Sequence, residues 1–464
     1  DAVILTLDGV GEWATTTVSF GEKNKINIVK EIHFPHSLGL LYSAFTYFLG
    51  FKVNSGEYKV MGLAPYGQPK FKDIILDNLI DLKKDGSFKL DMNYFNYATE
   101  LTMTNDKFAN LFNIKKRNPE DILLQIHMDI ASSIQAVTEE IVLKILKFLS
   151  KEFKTSNLCM AGGVALNCVA NGKILKENIF KNVWIQPASG DSGAALGAAQ
   201  AFYYQELDNK REILNVDSMK GSYLGPEYTD DEVENELRNC GAIFKKLTES
   251  EIAKETAQSL SEEFAVGWFQ GRMEFGPRSL GNRSILADPR SEKMQKTLNL
   301  KVKYRESFRP FAPSVLFEKV AEWFELSIHS PYMLIVADIK KSKQFKMTSE
   351  QKKLFGIEKL NVKRSDIPSV THVDYSARIQ TVHRETNPLF YNLLQEFEKI
   401  TKCPVLINTS FNVRGEPIVC SPTDAFHCFM GTGLDVLICN NFILYKDSQN
   451  KNLLQDYKNK YELD

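Results

Sequence analysis

The chain has 464 residues, of which 57 are Lys or Arg and 58 are Asp or Glu, so its formal net charge is −1. This balance argues against a general binder of nucleic acids or of anionic membrane surfaces, and any anion site must be local. Hydrophobic residues make up 43% and charged residues 25%, which is typical of a globular protein. One hydrophobic core is not enough at this length, so we predict two domains.

Cysteine usage and targeting signals indicate the compartment. The seven cysteines are odd in number and scattered, without a CxxC pair, which is typical of buried thiols in a reducing compartment. The sequence shows no apolar run that could span a bilayer and no signal peptide. We therefore expect a cytoplasmic protein that binds neither membranes nor nucleic acid. Because the chain opens within a strand-like segment and without Met, we also expect that its first part is absent here.

The first half begins with a predicted β-hairpin and continues into helices. A β-rich segment over 2–7 and a Thr- and Val-rich segment over 14–20 predict two strands joined by a polar turn. Apolar spacing predicts a helix over 37–50 and, after an Asn-Pro-Glu-Asp start signal, a long helix or helix pair over 119–152. A glycine-punctuated loop over 56–67 lies between them.

An alternation of strands and helices follows. Strands are predicted over 157–160 and 183–186, and a glycine-containing turn follows each of them. Helices over 164–177 and 192–205 come after these turns. Strand, turn and helix used twice in this way offer helix N-termini to the phosphate groups of a ligand. The next segment is polar and rich in turn signals, and we place the domain boundary between residues 222 and 223.

The second half mixes both kinds of element. Helices are predicted over 230–239, 249–263, 387–401 and 422–430, and strands over 265–269, 314–317, 332–337, 404–408 and 436–439. The Lys-rich segment 340–366 is weakly patterned, and we expect a mobile surface loop there. The predicted fold class is α/β in both halves.

Residues 271–290 form the most informative stretch, because they combine arginine with glycine and proline. A solvated helix face would pair its cations with acids four residues away and would avoid Gly and Pro. Arg272, Arg278, Arg283 and Arg290 therefore predict loops that aim guanidinium groups at one place, as a site for phosphate or carboxylate requires. A surface basic loop is the alternative.

Two further segments of the second half add cations and polar donors. They are residues 301–313 and the stretch 408–415 that follows a predicted strand. Basic residues with Ser and Asn donors are what a triphosphate or acyl-phosphate site requires. Structural salt bridges are the alternative for any one residue. The candidates are Lys303, Arg305, Arg309, Asn408, Ser410, Asn412 and Arg414.

Two aspartates of the first half follow predicted strands. Asp8 lies at the hairpin turn, and Asp191 begins a helix of small residues. A carboxylate at a helix N-terminus is stabilised by free N–H groups and can cap the helix or bind a metal. Two carboxylates alone are too few for a Mg²⁺ or Fe²⁺ site.

Glycines and asparagines cluster in the same two turns. Gly162, Gly163 and Gly190 let a ligand approach the backbone closely. Asn167 and Asn171 lie four apart on one predicted helix, so both could face a ribose or a base. Ordinary helix surface is the alternative for the two asparagines.

Taken together, these motifs resemble one enzyme family. The chain resembles the NodU/CmcH family of O-carbamoyltransferases, to which nodulation-factor, cephamycin and tobramycin carbamoyltransferases belong. The resemblance runs over nearly the whole chain and rests on residues 56–67, 162–171, 190–193, 271–290, 305–313 and 408–417.

The resemblance implies two domains of different fold. Residues 1–222 would form an ASKHA-like (actin/Hsp70-like) domain, N-terminally incomplete, similar to the transferase that makes threonylcarbamoyl-adenosine in tRNA. Residues 223–464 would form a YrdC-like α/β domain, similar to threonylcarbamoyl-AMP synthase. YrdC proteins carry KxR and SxN signatures, which match Lys303-Tyr-Arg305 and Ser410-Phe-Asn412.

The resemblance also implies a two-step reaction. The second domain would make carbamoyl-adenylate from ATP and carbamoyl phosphate, with Lys303, Arg305 and Arg278 as catalytic residues. The first domain would pass the carbamoyl group to a hydroxyl of a small-molecule acceptor, and the protein could act as a homodimer. Further ligands of ATP and carbamoyl phosphate would be Arg272, Arg283, Arg309, Asn408, Ser410, Asn412 and Arg414. Carbamoyl-adenylate would lie against Gly162, Gly163, Asn167, Asn171 and Gly190.

A divalent metal is expected at the transfer site, with Fe²⁺ favoured, and Mg²⁺ is expected with ATP. Asp8 and Asp191 match the family's metal-binding carboxylates. Family members also carry an HxxxH motif shortly before the segment that matches residues 1–15, and this sequence has none. We expect that the segment bearing it is absent here. Adenylate formation would need only the second domain.

Two other functions stay open from the sequence alone. One is a threonylcarbamoyl-type, tRNA-modifying transferase, against which the near-neutral charge argues. The other is a non-catalytic nucleotide-binding scaffold that kept the fold and lost the metal.

Overall fold

The computed structural model describes residues 1–212, 217–306, 308–457 and 460–461. The chain forms two compact units, Asp1–Ile213 with Lys353–Leu360, and Leu214–Lys352 with Asn361–Asp464. The first of the divisions lies between 213 and 214, and the domain boundary placed between 222 and 223 stays a prediction. Both units mix helices with strands, which confirms the α/β class. Among the described helices, none is long and apolar enough to cross a membrane.

The first unit is built on a five-stranded sheet in the order β3-β2-β1-β6-β7. Strands β1, β2 and β3 pair antiparallel, whereas β6 and β7 run parallel to β1. The carboxyl ends of β1, β6 and β7 therefore lie at one edge of the sheet, where α/β folds bind ligands. A separate two-stranded sheet pairs β4 with β5. The strands are β1 (Ala2–Leu7), β2 (Ala14–Glu22), β3 (Lys25–His33), β4 (Ile80–Leu82), β5 (Phe88–Leu90), β6 (Asn157–Ala161) and β7 (Asn182–Ile185).

A helix of 28 residues, α5, organises the rest of this unit. Ile134, Val137 and Ile141 on its apolar face are completely buried. This spacing of three and four residues is that of one helix face, and α5 packs against α1, α2 and α3. The helices are α1 (Leu38–Phe48), α2 (Glu57–Leu63), α3 (Lys72–Asn78), α4 (Asp106–Phe112), α5 (Gln125–Glu152), α6 (Cys168–Lys176) and α7 (Asp191–Ala201).

The second unit contains a nine-stranded mixed sheet in the order β12-β13-β11-β14-β10-β9-β15-β16-β8. Strands β9, β10, β11 and β15 are buried along their whole length, as strands covered on both faces are. The strands are β8 (Lys245–Lys246), β9 (Val266–Phe269), β10 (Arg283–Ala287), β11 (Ala312–Leu316), β12 (Ile335–Asp338), β13 (Ser376–Val382), β14 (Val405–Ser410), β15 (Val436–Cys439) and β16 (Phe442–Tyr445).

Helices pack on the strands of this sheet. Helices α9 and α13 pack against each other and on the sheet, while α14 packs on β9 and β15 and contacts α8. Strand β14 pairs with β10 and β11, so its last residue, Ser410, emerges from the middle of the sheet. The helices are α8 (Asp230–Asn239), α9 (Glu249–Ser261), α10 (Met294–Thr297), α11 (Val320–Trp323), α12 (Ser349–Lys352), α13 (Pro388–Thr401) and α14 (Pro422–Gly431).

Gly67 tests the packing of the first unit. A Cβ at this position would lie 2.1 Å from the carbonyl oxygen of Met128 on α5. We expect Gly67→Ala to lower the free energy of unfolding by roughly 2 kcal/mol, because backbone would have to shift. Gly197→Ala is the matched control, since nothing lies within 4 Å of a Cβ there, and alanine within α7 should be neutral or stabilising. Equal urea midpoints for the two variants would contradict this packing.

Candidate functional site

In the first unit the turns after β1, β6 and β7 are joined by hydrogen bonds. The Asp8 carboxylate accepts from the backbone N–H of Gly163 at 3.2 Å, and the N–H of Gly162 donates to the carbonyl of Ser189 at 2.8 Å. Asp191, two residues beyond Ser189, begins α7 and is exposed. The predicted residues Asp8, Gly162, Gly163, Gly190 and Asp191 thus belong to three connected turns at one sheet edge.

Gly162 is needed for this connection. Its φ is +90°, in the region that favours glycine, and a Cβ there would lie 2.2 Å from the carbonyl oxygen of Leu7. The close approach lets the turn after β6 lie directly against the end of β1. Close contact between these turns therefore explains Gly162 without a ligand.

The two predicted asparagines make hydrogen bonds within the first unit. The side chain of Asn167 exchanges hydrogen bonds with that of Gln135 at 3.0 and 3.1 Å and caps α6 at the N–H of Ala170. Asn171 is 1% exposed and donates to the carbonyl of Ala165. Both side chains brace the turn; Asn171 does so from a buried position, whereas the half-buried Asn167 stays a predicted ligand. Local sequence carries no sign that Gln135, on α5, is the partner of Asn167.

The predicted metal site is incomplete in the described chain. Asp8 Oδ1 already accepts from two backbone N–H groups, those of Gly9 and Gly163. No group of three or more His, Cys, Asp or Glu side chains that could hold a metal occurs among the described residues. Asp8 and Asp191 alone do not meet the coordination demand of Fe²⁺ or Mg²⁺.

In the second unit Lys303 holds together the two segments matched to KxR and SxN. Its side chain is buried, and its ammonium donates to the carbonyls of Ser410 and Asn412 at 2.8 and 2.7 Å. It also donates to Asn412 Oδ1 at 2.7 Å and to Ser410 Oγ at 3.2 Å. Burial, together with the neighbouring Arg305 and Arg309, lowers the pKa of Lys303. The ammonium shapes the loop after β14.

Three half-buried arginines lie beside this loop. Arg305 Nε donates to Asn299 Oδ1 at 2.7 Å, and its guanidinium lies over the ring of Phe311. Arg309 and Arg414 each face a carboxylate oxygen of Glu306, at 3.6 and 3.4 Å. The backbone N–H of Arg414 donates to the carbonyl of Lys303. Predicted cations from two distant segments are thus brought together, which is what recognition of phosphate groups requires.

Glu416 fixes the far side of the same loop, and sequence analysis missed it. Its carboxylate accepts from the N–H of Val413 at 2.8 Å, and its carbonyl accepts from Asn412 Nδ2 at 2.6 Å. Ser410 Oγ donates to Asn412 Oδ1 at 2.6 Å. A Gly-Glu pair after an arginine carries no recognisable signal on its own. We refer to residues 410–416 as the SxN loop.

The arginine-rich stretch is folded around Glu274, which was also missed. One oxygen of its buried carboxylate accepts from the N–H groups of Leu280 at 2.6 Å and Asn282 at 2.9 Å. Of the predicted arginines, Arg278 is half-buried, whereas Arg272 is exposed and pairs with Glu227 at 3.3 Å. The stretch is therefore a built loop that leads into β10, and Arg272, Arg278 and Arg290 are at least partly accessible.

Two predicted ligands are buried structural residues. Arg283 has no exposed surface, donates to the carbonyls of Gln270 and Gly271 at 2.7 and 3.2 Å, and lies 3.6 Å from the ring centre of Phe269. Asn408 is equally buried and donates to Ser314 Oγ and Gln380 Oε1. Their assignment to ATP or carbamoyl phosphate is corrected, because neither side chain reaches the surface in this structure.

The role of Arg283 can be tested by comparing it with Arg272. Arg283→Ala would leave buried carbonyls without donors, so we expect the free energy of unfolding to fall by roughly 3 kcal/mol or more. Arg272→Ala removes an exposed cation and should leave the urea midpoint nearly unchanged. A small loss for the Arg283 variant would contradict its structural role.

Comparisons with known proteins agree with these two units. A family model described as carbamoyltransferase N-terminus matches residues 1–200, and one described as carbamoyltransferase C-terminus matches residues 257–446. The uncharacterized protein sll1178 of Synechocystis sp. is 58% identical over the whole of this chain and 76% of its own length.

Nodulation proteins are also similar to this chain. NolO of Bradyrhizobium diazoefficiens is 36% identical, over 96% of this chain and 75% of its own length. NolNO of Sinorhizobium fredii is likewise 36% identical, over 96% of this chain and 61% of its own length. These matches confirm the family predicted from the motifs. The chain belongs to the carbamoyltransferase family of enzymes.

Proposed function

We propose that this carbamoyltransferase is ATP-dependent and works in two steps. In the first step ATP, carbamoyl phosphate and water give carbamoyl-adenylate, pyrophosphate and phosphate. In the second step a hydroxyl of a small-molecule acceptor takes the carbamoyl group and AMP leaves. The carbamoyl nitrogen donates electrons into its carbonyl, so the carbonyl carbon is a poor electrophile. Adenylation compensates for this, because it supplies a good leaving group.

One observation carries the proposal for the first step. The buried ammonium of Lys303 binds both Ser410 and Asn412, and Arg305, Arg309 and Arg414 lie around the same loop. ATP and carbamoyl phosphate bring many negative charges, and positioned cations stabilise the charge that shifts during phosphoryl chemistry. We propose that Arg305 and Arg278 contact the reacting groups, and that Lys303 keeps the SxN loop in its binding shape.

The connected turns of the first unit support the proposal for the second step. Asp191 is an exposed carboxylate at a helix N-terminus, where anionic groups are favoured. Gly163 and Gly190 keep the turns beside it free of side chains. We propose that this edge binds the activated carbamoyl group and that Asp191 orients the acceptor side of the reaction.

Two variants separate the steps. Asn412→Ala should abolish pyrophosphate formation, because it removes an acceptor of Lys303 and a donor to the Glu416 carbonyl. Asp191→Ala should keep carbamoyl-phosphate-dependent exchange of labelled pyrophosphate into ATP but lose carbamoyl transfer to hydroxyl acceptors. Asn452→Ala, an exposed asparagine of the second unit, is the control and should match the wild type.

Two results would contradict this assignment. Near wild-type pyrophosphate exchange in the Asn412 variant would remove the SxN loop from the first step. Loss of exchange in a folded Asp191 variant would mean that the two steps are assigned to the wrong units.

A further inference from the structure

Glu306 is an acidic residue among the arginines beside the SxN loop. Its Oε2 lies 3.6 Å from Arg309 Nη1, and its Oε1 lies 3.4 Å from Arg414 Nη1. The side chains of Arg309, Arg414 and Glu306 are 14%, 19% and 23% exposed, so solvent screens this group only partly. One carboxylate thus faces two of the arginines that the proposed function assigns to phosphate groups.

These ion pairs are longer than the tight Arg290–Asp288 pair of the same unit. Arg290 Nη2 lies 2.5 Å from Asp288 Oδ2, and Arg290 Nε lies 3.0 Å from both carboxylate oxygens. Charge-assisted hydrogen bonds between a guanidinium and a carboxylate are ordinarily about 2.7–2.9 Å long. Asp288 thus makes short hydrogen bonds to Arg290. Glu306 lies close enough to neutralise Arg309 and Arg414, but at longer distances from both.

The position of Glu306 reduces electrostatic repulsion between the cations of the site. Without a ligand, Arg305, Arg309, Arg414 and the buried Lys303 would repel one another in a partly desolvated site. A carboxylate between two of the arginines reduces that repulsion. A phosphate group that binds the same two arginines brings like charge next to the carboxylate, so either Glu306 withdraws or the ligand binds more weakly.

We propose that Glu306 is the internal counter-ion of this anion site, and that it competes with phosphate groups for Arg309 and Arg414. The inference rests on the proposed function and adds a specificity-determining residue to it. Its consequence is that wild-type protein binds pyrophosphate more weakly than its cations alone would allow, which favours release of that product.

Direct binding of inorganic pyrophosphate tests the proposal. Calorimetry would use the full chain in buffer with a chelator, so that no divalent cation bridges carboxylate and phosphate. We expect Glu306→Gln and Glu306→Ala to bind pyrophosphate at least about tenfold more tightly than the wild type, because a like charge is removed from the site. Glu234→Gln removes the same charge from an exposed i,i+4 pair with Arg238 and should bind as the wild type does.

The outcomes distinguish this inference from the proposed function. Unchanged or weaker binding in both Glu306 variants would overturn the counter-ion role, and it would make Glu306 a residue that positions the arginines or binds Mg²⁺. Failure of the wild type and of both variants to bind pyrophosphate would overturn the anion site and the counter-ion together. Tighter binding in the variants without carbamoyl-phosphate-dependent chemistry in the wild type would support the counter-ion and contradict the proposed function.

Discussion

The second unit depends on one buried ammonium group. Lys303 gives up its hydration, and the loss is compensated only because four oxygens of Ser410 and Asn412 accept from it. These contacts join a segment that follows α10 to the loop that leaves the middle of the sheet. Because a buried charge without partners is strongly unfavourable, the loop has little freedom to move away from Lys303. The arginines beside this loop therefore lie next to a backbone whose position is fixed.

In the first unit, backbone hydrogen bonds hold the turns of the candidate site in place. Its parallel strands bring the turns after β1, β6 and β7 to one edge, and two hydrogen bonds join them, from Gly163 to Asp8 and from Gly162 to Ser189. The site elements of this unit are thus positioned by sheet geometry and by the space that a missing Cβ leaves. In the second unit, charged side chains position the site elements.

Most elements could be predicted from the sequence, and the exceptions have different causes. Strand β1, with buried residues at alternate positions, and helix α8, with a Thr–Glu capping box, carry strong local signals. Strand β3 was not predicted, because it is an edge strand whose residues are almost all exposed, so no alternation marks it. Strand β10 lies inside the arginine-rich stretch, where Arg and Gly favoured a loop interpretation.

Prediction of the candidate site from the sequence has a different limit. Local sequence identified Lys303, Arg305, Ser410, Asn412 and Arg414, and the structure brings them together. Local sequence could not distinguish the structural role of Arg283 from the predicted binding role of Arg305, because both are arginines in basic segments. Only tertiary burial decides which one donates to carbonyls. Glu274, Glu306 and Glu416 were missed, since an acid that organises a loop or balances cations has no sequence signature of its own.

Pyrophosphate release from ATP by the wild-type chain, with and without carbamoyl phosphate and with no acceptor, tests the central claim most directly. The account predicts that pyrophosphate appears only when carbamoyl phosphate is present, because the second unit alone forms the adenylate. A folded protein that binds ATP and carbamoyl phosphate but releases no pyrophosphate would contradict it.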